Sequence, residues 1–183
     1  MHWWHIYRWH CIDNGDDTGA DSATCVLLNR DVDVAVLETA RGGIIRKGLA
    51  YDLADVAVIT NVTEDTFRLW WYRRYGRFMH GKSLVAEAVK EDGFVVVNAD
   101  DKYSLDIIPR IKAQIIYFSK DCNNDYILEA INKDNICVYL REGYICVYNY
   151  GREYRVIKVE DVPITLNGVL EFNIENVWQL VQV

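Results

Sequence analysis

Three groups of residues in this 183-residue chain carry side chains able to hold and act on a ligand. Glu38, Thr39 and Arg41 form the first group, Thr60, Asn61, Glu64 and Asp65 the second, and Asn98, Asp100 and Asp101 the third. Each group directly follows a short apolar run: residues 34–37, 56–59 and 94–97. The runs are rich in β-branched residues and do not alternate with polar ones, a pattern that predicts strands covered on both faces, as in a parallel sheet. In open α/β sheets, ligands bind outside the carboxyl ends of the strands, so the groups fall where a site belongs.

The elements that must position them follow from the same text. Residues 31–65 predict a buried strand, a glycine turn with charged groups, a short helix and a second buried strand. Asn14, Gly15, Asp16 and Asp17 predict a turn, followed by a helix from about Asp21 that ends before Asp31. Residues 83–93 predict a helix ending at Gly93, followed by a third strand through Val97. A helix interrupted near Pro109 comes next, then a fourth strand over residues 113–119. Beyond Asp121 the pattern changes to antiparallel strands at 126–131, 136–140, 144–148 and 154–159, separated by polar and glycine turns. The expected fold is α/β, a mostly parallel doubly wound sheet ending in an antiparallel β-meander.

Composition narrows the class. A net charge of -7 argues against a nucleic-acid surface, which needs clustered cations to displace counterions. Five cysteines are an odd number without a C-x-x-C pair, so neither a disulfide framework nor a zinc knuckle is expected, and a reducing cytoplasm is the simplest location. No apolar run reaches the ~18 residues of a membrane span. Met1 is not followed by a signal-peptide pattern.

Two segments read unlike the rest. Residues 1–11 hold three of the six tryptophans and three of the four histidines without a period of strand or helix, as a disordered terminus or a metal or membrane-interface arm would. Residues 66–81 hold four arginines, two tryptophans and two tyrosines, a basic aromatic surface of the kind that meets single-stranded nucleic acid or anionic lipid.

Glu38-Thr39-Ala40-Arg41-Gly42-Gly43, the strand ending in Thr60-Asn61-Val62-Thr63-Glu64-Asp65, Asn98-Ala99-Asp100-Asp101 and Asn173-Ile174-Glu175-Asn176 together resemble the central ATP-binding domain of the Mur ligase family, a P-loop-type fold. The first of these motifs is most similar to the form in the Mur-ligase-like half of cyanophycin synthetases. The resemblance covers residues 12–65 and 82–177 and implies ATP and magnesium as cofactors, with ATP phosphorylating a carboxylate that an amine then attacks to form an amide. It further implies an amino acid, arginine or a related basic one, joined to an aspartate-rich peptide. Glu38 is the implied magnesium ligand and Lys82 the implied catalytic lysine. Asn98, Asp101, Asn173 and Asn176 are the implied nucleotide contacts. Membrane and nucleic acid are not expected partners, and homo-oligomerisation stays open.

The resemblance has gaps. The family's G-x-x-G-K-T/S loop, whose backbone N–H groups cradle phosphates, would precede this text, and the C-terminal ligase domain would follow it. The family's Asp-His pair is Asp65-Thr66 here. A change of reading frame accounts for residues 66–81 on paper. Tryptophan has one codon, so a shift by one base turns Trp70 and Trp71 into glycines without any choice of codon. Permissive codons elsewhere turn the segment into a His-Leu-Gly opening, a glycine loop and an acidic helix. The same shift gives family-like text for residues 1–9, and the opposite shift does so after Val177. The expected organisation is therefore a partial central domain over 1–177, with aberrant segments at 1–11 and 66–81 and an aberrant tail at 178–183. Weak stability, poor solubility and no unaided activity are expected of such a chain. A non-catalytic or engineered α/β binding module that displays the Trp/Arg-rich segments is the alternative.

Overall fold

The computed structural model describes residues 3–7, 10–15, 19–39, 41–61 and 81–162. The chain divides into two compact units, Met1–Leu53 and Ala54–Val183.

The first unit contains an antiparallel hairpin of β1 (Trp3–Tyr7) and β2 (His10–Gly15), then α1 (Ala20–Leu27) and α2 (Arg41–Lys47). The hairpin places residues 3–7 and 10–11 in paired strands, against a disordered terminus as one reading of residues 1–11, and it draws Asn14 and Gly15 out of the expected turn and into β2. Helix α1 starts where expected, directly after Gly19, and an ion pair between Lys47 and Asp21 joins it to α2. The strand expected at residues 34–37 does not form: the backbone from Val34 to Thr39 has no regular structure, and Val34 and Val36 are 72% and 80% exposed. β-branched residues favour a strand only where a partner and a packed face complete it, and no described residue pairs with this segment.

Among the described residues, the second unit contains a six-stranded sheet. Its strands are β3 (Ala54–Ile59), β4 (Val89–Asn98), β5 (Gln114–Ser119), β6 (Cys137–Arg141), β7 (Tyr144–Asn149) and β8 (Arg152–Lys158). They lie side by side in chain order, parallel from β3 to β6 and antiparallel from β6 to β8. Helices α3 (Gly81–Glu87), α4 (Lys102–Leu105) and α5 (Asp125–Asn132) connect the parallel strands, together with a 3-10 turn at Ile108–Arg110 that carries Pro109. This is the mostly parallel α/β sheet with an antiparallel end that the apolar runs predict.

Both faces of the sheet are buried at its centre, which explains the unbroken apolar text of β4, whereas β8 is largely exposed. One face presents Ala57, Ile59, Val95 and Val97 to Ala86 of α3 and to Ile107, and Cys137, Tyr139 and Cys146 to Ile127 and Ala130 of α5. The opposite face gathers Val96, Ile116, Phe118, Val138 and Ile145, joined by Val159 and Val162. Val95, Val96 and Val97 are fully buried, and each such side chain contributes about 1.5–3 kcal/mol relative to exposure.

Two boundaries differ from expectation. The helix expected to run to Gly93 stops at Glu87, because Val89 is buried and pairs in parallel with Ala54, whose N–H donates to Ala88 O at 2.8 Å. Pairing with β3 outweighs the modest helix propensity of Val89. The segment 126–131, expected as a strand, is helix α5. Asn124 caps it by accepting from Tyr126 N at 3.0 Å, and Ile127 and Ala130 turn one face inward while Leu128 and Glu129 face out.

The meander turns form as expected. Glu142-Gly143 and Tyr150-Gly151 each place two residues at positive φ, the geometry of a tight hairpin turn that matches strand twist.

Candidate functional site

The carboxyl ends of β3, β4 and β5 lie at the same edge of the sheet, since the three strands are parallel. Thr60 and Asn61 follow β3, Ala99, Asp100 and Asp101 follow β4, and Lys120 and Asp121 follow β5. Asn98, the last residue of β4, is 5% exposed and bridges two of these ends. Its Nδ2 donates to Thr60 O at 2.7 Å and its Oδ1 accepts from Asp100 N at 2.9 Å. A buried amide satisfied on both sides fixes the backbone around it, whereas an unpaired one would cost about 1–3 kcal/mol.

Asp100 extends the network to β5. One carboxylate oxygen accepts from Ser119 Oγ at 2.6 Å and from Asn124 Nδ2 at 3.2 Å, and the other accepts from Lys120 N at 2.7 Å. Asn124 Nδ2 also reaches Ala99 O at 3.2 Å. Ser119 and Asn124 escape a reading of single strand ends. The signal that could have found them is the recurrence of Ser, Asp and Asn at two consecutive strand ends, since such short polar side chains bond to nearby backbone.

Asp101 serves the next helix. Its carboxylate accepts from Tyr103 N and Ser104 N, both at 3.2 Å, and so caps α4. Asn98 and Asp101 therefore share one strand-end loop, with Asn98 as the bridge and Asp101 as the cap.

The remaining expected residues lie elsewhere. Lys82 is the second residue of α3, which packs on β3 and β4. Glu38 belongs to the first unit, where it lines an open depression with Thr39, Ala20, Gly43, Ile44 and Tyr51. Its carboxylate is exposed and makes no hydrogen bond or ion pair with the described residues. A carboxylate that no described residue engages suits magnesium, which takes one or two protein carboxylates and completes its shell with water and phosphate oxygens. Among the described residues no group of three or more His, Cys, Asp or Glu side chains gathers to hold a metal by itself. Glu64, Asp65, Asn173 and Asn176 lie outside the described residues, as do the aromatic segment 66–80 and the tail 178–183. No described helix is long and apolar enough to cross a membrane.

Comparison with known proteins agrees with the strand-end text. The Mur ligase middle domain matches residues 11–180. The chain is 37% identical over 167 residues to a cyanophycin synthetase of Synechocystis sp., a match that covers 91% of this chain and 19% of that protein. A cyanophycin synthetase of Geminocystis herdmanii is 35% identical over the same shares. A UDP-N-acetylmuramoyl-L-alanyl-D-glutamate–2,6-diaminopimelate ligase of Chlamydia pneumoniae is 26% identical over 162 residues, 86% of this chain and 33% of that protein. The chain thus spans about a fifth of the length of the cyanophycin synthetases it matches.

Proposed function

Because the chain belongs to the Mur ligase family through its middle domain, we propose that it is the nucleotide-handling part of an ATP-dependent ligase of the cyanophycin-synthetase kind. The observation that carries this reading is the identity of 35–37% over 91% of the chain to cyanophycin synthetases, against 26% to a diaminopimelate-adding ligase. In the assigned reaction a carboxylate oxygen of the substrate attacks the γ-phosphorus of ATP, ADP leaves, and an acyl phosphate forms. An amine nitrogen then attacks the acyl carbon, phosphate leaves, and a C–N amide bond results. The acceptor is an aspartate-rich peptide and the amine donor a basic amino acid such as arginine. The free thiols of Cys25, Cys122, Cys137 and Cys146 support a reducing cytoplasmic setting.

In this reading Glu38 would hold magnesium, which would supply positive charge to neutralise the polyphosphate. Asn98 lies at the nucleotide, and Asp101 acts by fixing the start of α4 beside it. Lys82 in the catalytic set, and Asn173 and Asn176 at the nucleotide, are assigned on resemblance. Mg-ATP titrated into the chain by calorimetry is expected to bind with submillimolar affinity. Glu38→Gln is expected to weaken that binding by about tenfold, the equivalent of ~1.4 kcal/mol, and to leave binding in excess chelator unchanged. Absence of heat at millimolar nucleotide overturns the reading.

We further propose that residues 1–11, 66–81 and 178–183 are out-of-frame text within the central domain, and that the chain does not complete the ligation unaided. The departure of Thr66 from the family's histidine and the codon arithmetic at Trp70 and Trp71 support this. Sequencing the coding DNA tests it directly: the codons of Arg73, Arg74, Tyr75 and Arg77 are expected to read as Asp, Asp, Met and Asp in the shifted frame, and any codon that forbids this ends the proposal.

A further inference from the structure

We propose that Asp100 is a positioning residue, which locks Asn98 and the carboxyl ends of β3, β4 and β5 into one rigid crest that receives the nucleotide. The identity of the ligand rests on the function proposed above; the crest rests on hydrogen bonds alone.

The bonds form one continuous path. Thr60 O, at the end of β3, accepts from Asn98 Nδ2, and Asn98 Oδ1 accepts from Asp100 N. The Asp100 carboxylate accepts from Ser119 Oγ and Lys120 N at the end of β5, and from Asn124 Nδ2 at the cap of α5. Every bond into the carboxylate is charge-assisted, and such bonds are roughly twice as strong as neutral ones. A neutral side chain at this position would lose that strength even if it reached the same partners.

The path has a specific effect on Asn98. Rotating its amide by half a turn would set Nδ2 against the Asp100 N–H and Oδ1 against Thr60 O, two repulsive contacts in place of two bonds. The orientation of the amide is therefore determined as long as Asp100 N stays where its own carboxylate holds it. The second N–H and the second lone pair of that amide then point in fixed directions at the strand ends, where an open α/β sheet binds its ligand. Loss of the Asp100 carboxylate frees the loop at Ala99 and Asp100, and Asn98 loses its preferred amide orientation while β4 itself stays buried. A residue that only stabilised the sheet would have no such effect on a folded chain.

The test uses Asp100→Ala, Asp100→Asn and Ser119→Ala in the full chain, under conditions where circular dichroism shows each to be folded. Two quantities are read: Mg-ATP affinity, and solvent exchange of the Asn98 side-chain amide by NMR. Asp100→Ala is expected to weaken Mg-ATP by about tenfold and to speed exchange of the Asn98 amide, as loss of a charge-assisted network implies. Asp100→Asn, which keeps one acceptor, is expected to fall between Asp100→Ala and the unaltered chain. Affinity within about twofold of the unaltered chain in a folded Asp100→Ala variant, a change below ~0.5 kcal/mol, overturns the proposal. An unchanged Asn98 amide does so as well. If the unaltered chain does not bind Mg-ATP, the proposed function fails, and the Asn98 amide alone decides the crest. If Asp100→Ala does not fold, Ser119→Ala removes one donor, spares the carboxylate and is judged by the same two quantities.

Discussion

Replacing Gly93 with alanine is expected to destabilise the chain by about 3 kcal/mol, the upper range for overpacking a well-filled core. Gly93 is buried in β4, next to the point where the register with β3 shifts between Ala54 and Val56. An added Cβ would stand 2.4 Å from Asp55 O, 2.8 Å from Val89 Cγ1 and 3.1 Å from Lys90 O. Two of these atoms are backbone carbonyls, so no rotamer change relieves the contact, and β3 and β4 must part locally. A glycine within a strand marks a close approach of another backbone, and here that backbone is β3. Urea unfolding measures the effect as a fall in midpoint at unchanged slope. Gly19→Ala provides the comparison: no described residue lies within 4 Å of its added Cβ, and a shift within about 0.5 kcal/mol is expected. Equal effects at the two glycines would refute the steric account.

The second large effect is alkaline. Burial pushes the Cys137 thiol up to about 12 from 9.0, and burial also raises Tyr139, Cys146 and Tyr117. Above pH 9 the unfolded chain releases the Cys137 proton while the folded chain keeps it, so the unfolded state binds fewer protons and stability must fall as pH rises. The contribution is intact below the unfolded value and is lost as pH climbs toward the folded one. For Cys137 alone the slope is about 1.4 kcal/mol per pH unit, or about 4 kcal/mol by pH 12. Urea midpoints measured from about pH 8 to about pH 11 are expected to decline accordingly, and more gently in Cys137→Ala. The same decline in both chains would show that Cys137 is not among the groups responsible.

The parallel half of the sheet was legible because burial on both faces forces uninterrupted apolar runs such as residues 94–97. The hairpin turns were legible because positive φ at Gly143 and Gly151 limits the choice of residue. Residues 126–131 were not, because a short run of apolar residues satisfies strand and helix alike. What decides between them is the cap at Asn124 and the fit of Ile127 and Ala130 over Cys137 and Tyr139. Residues 34–37 carry strand-like text without a strand, since a ladder needs a partner that propensity cannot supply. Glu38 in the first unit and Asn98 in the second could each be picked out as the polar end of an apolar run. The roles of Asp100, Ser119 and Asn124 could not, because they arise only when parallel pairing of β4 and β5 brings two loops together.

The order of strands across the sheet has a consequence for how the chain is made. Because β3 to β8 lie side by side in the sequence in which they are synthesised, each new strand finds its neighbour already waiting at the growing edge. None of the described strands must be inserted between two that have paired, and none of their pairings waits for a strand beyond its neighbour to leave the ribosome. Assembly can proceed in one direction at the pace of translation, ~5–20 residues per second, with new strands added at one growing edge while β3 stays at the other. A stalled or shortened product would therefore end in a smaller sheet with the same pairing, not in a different one.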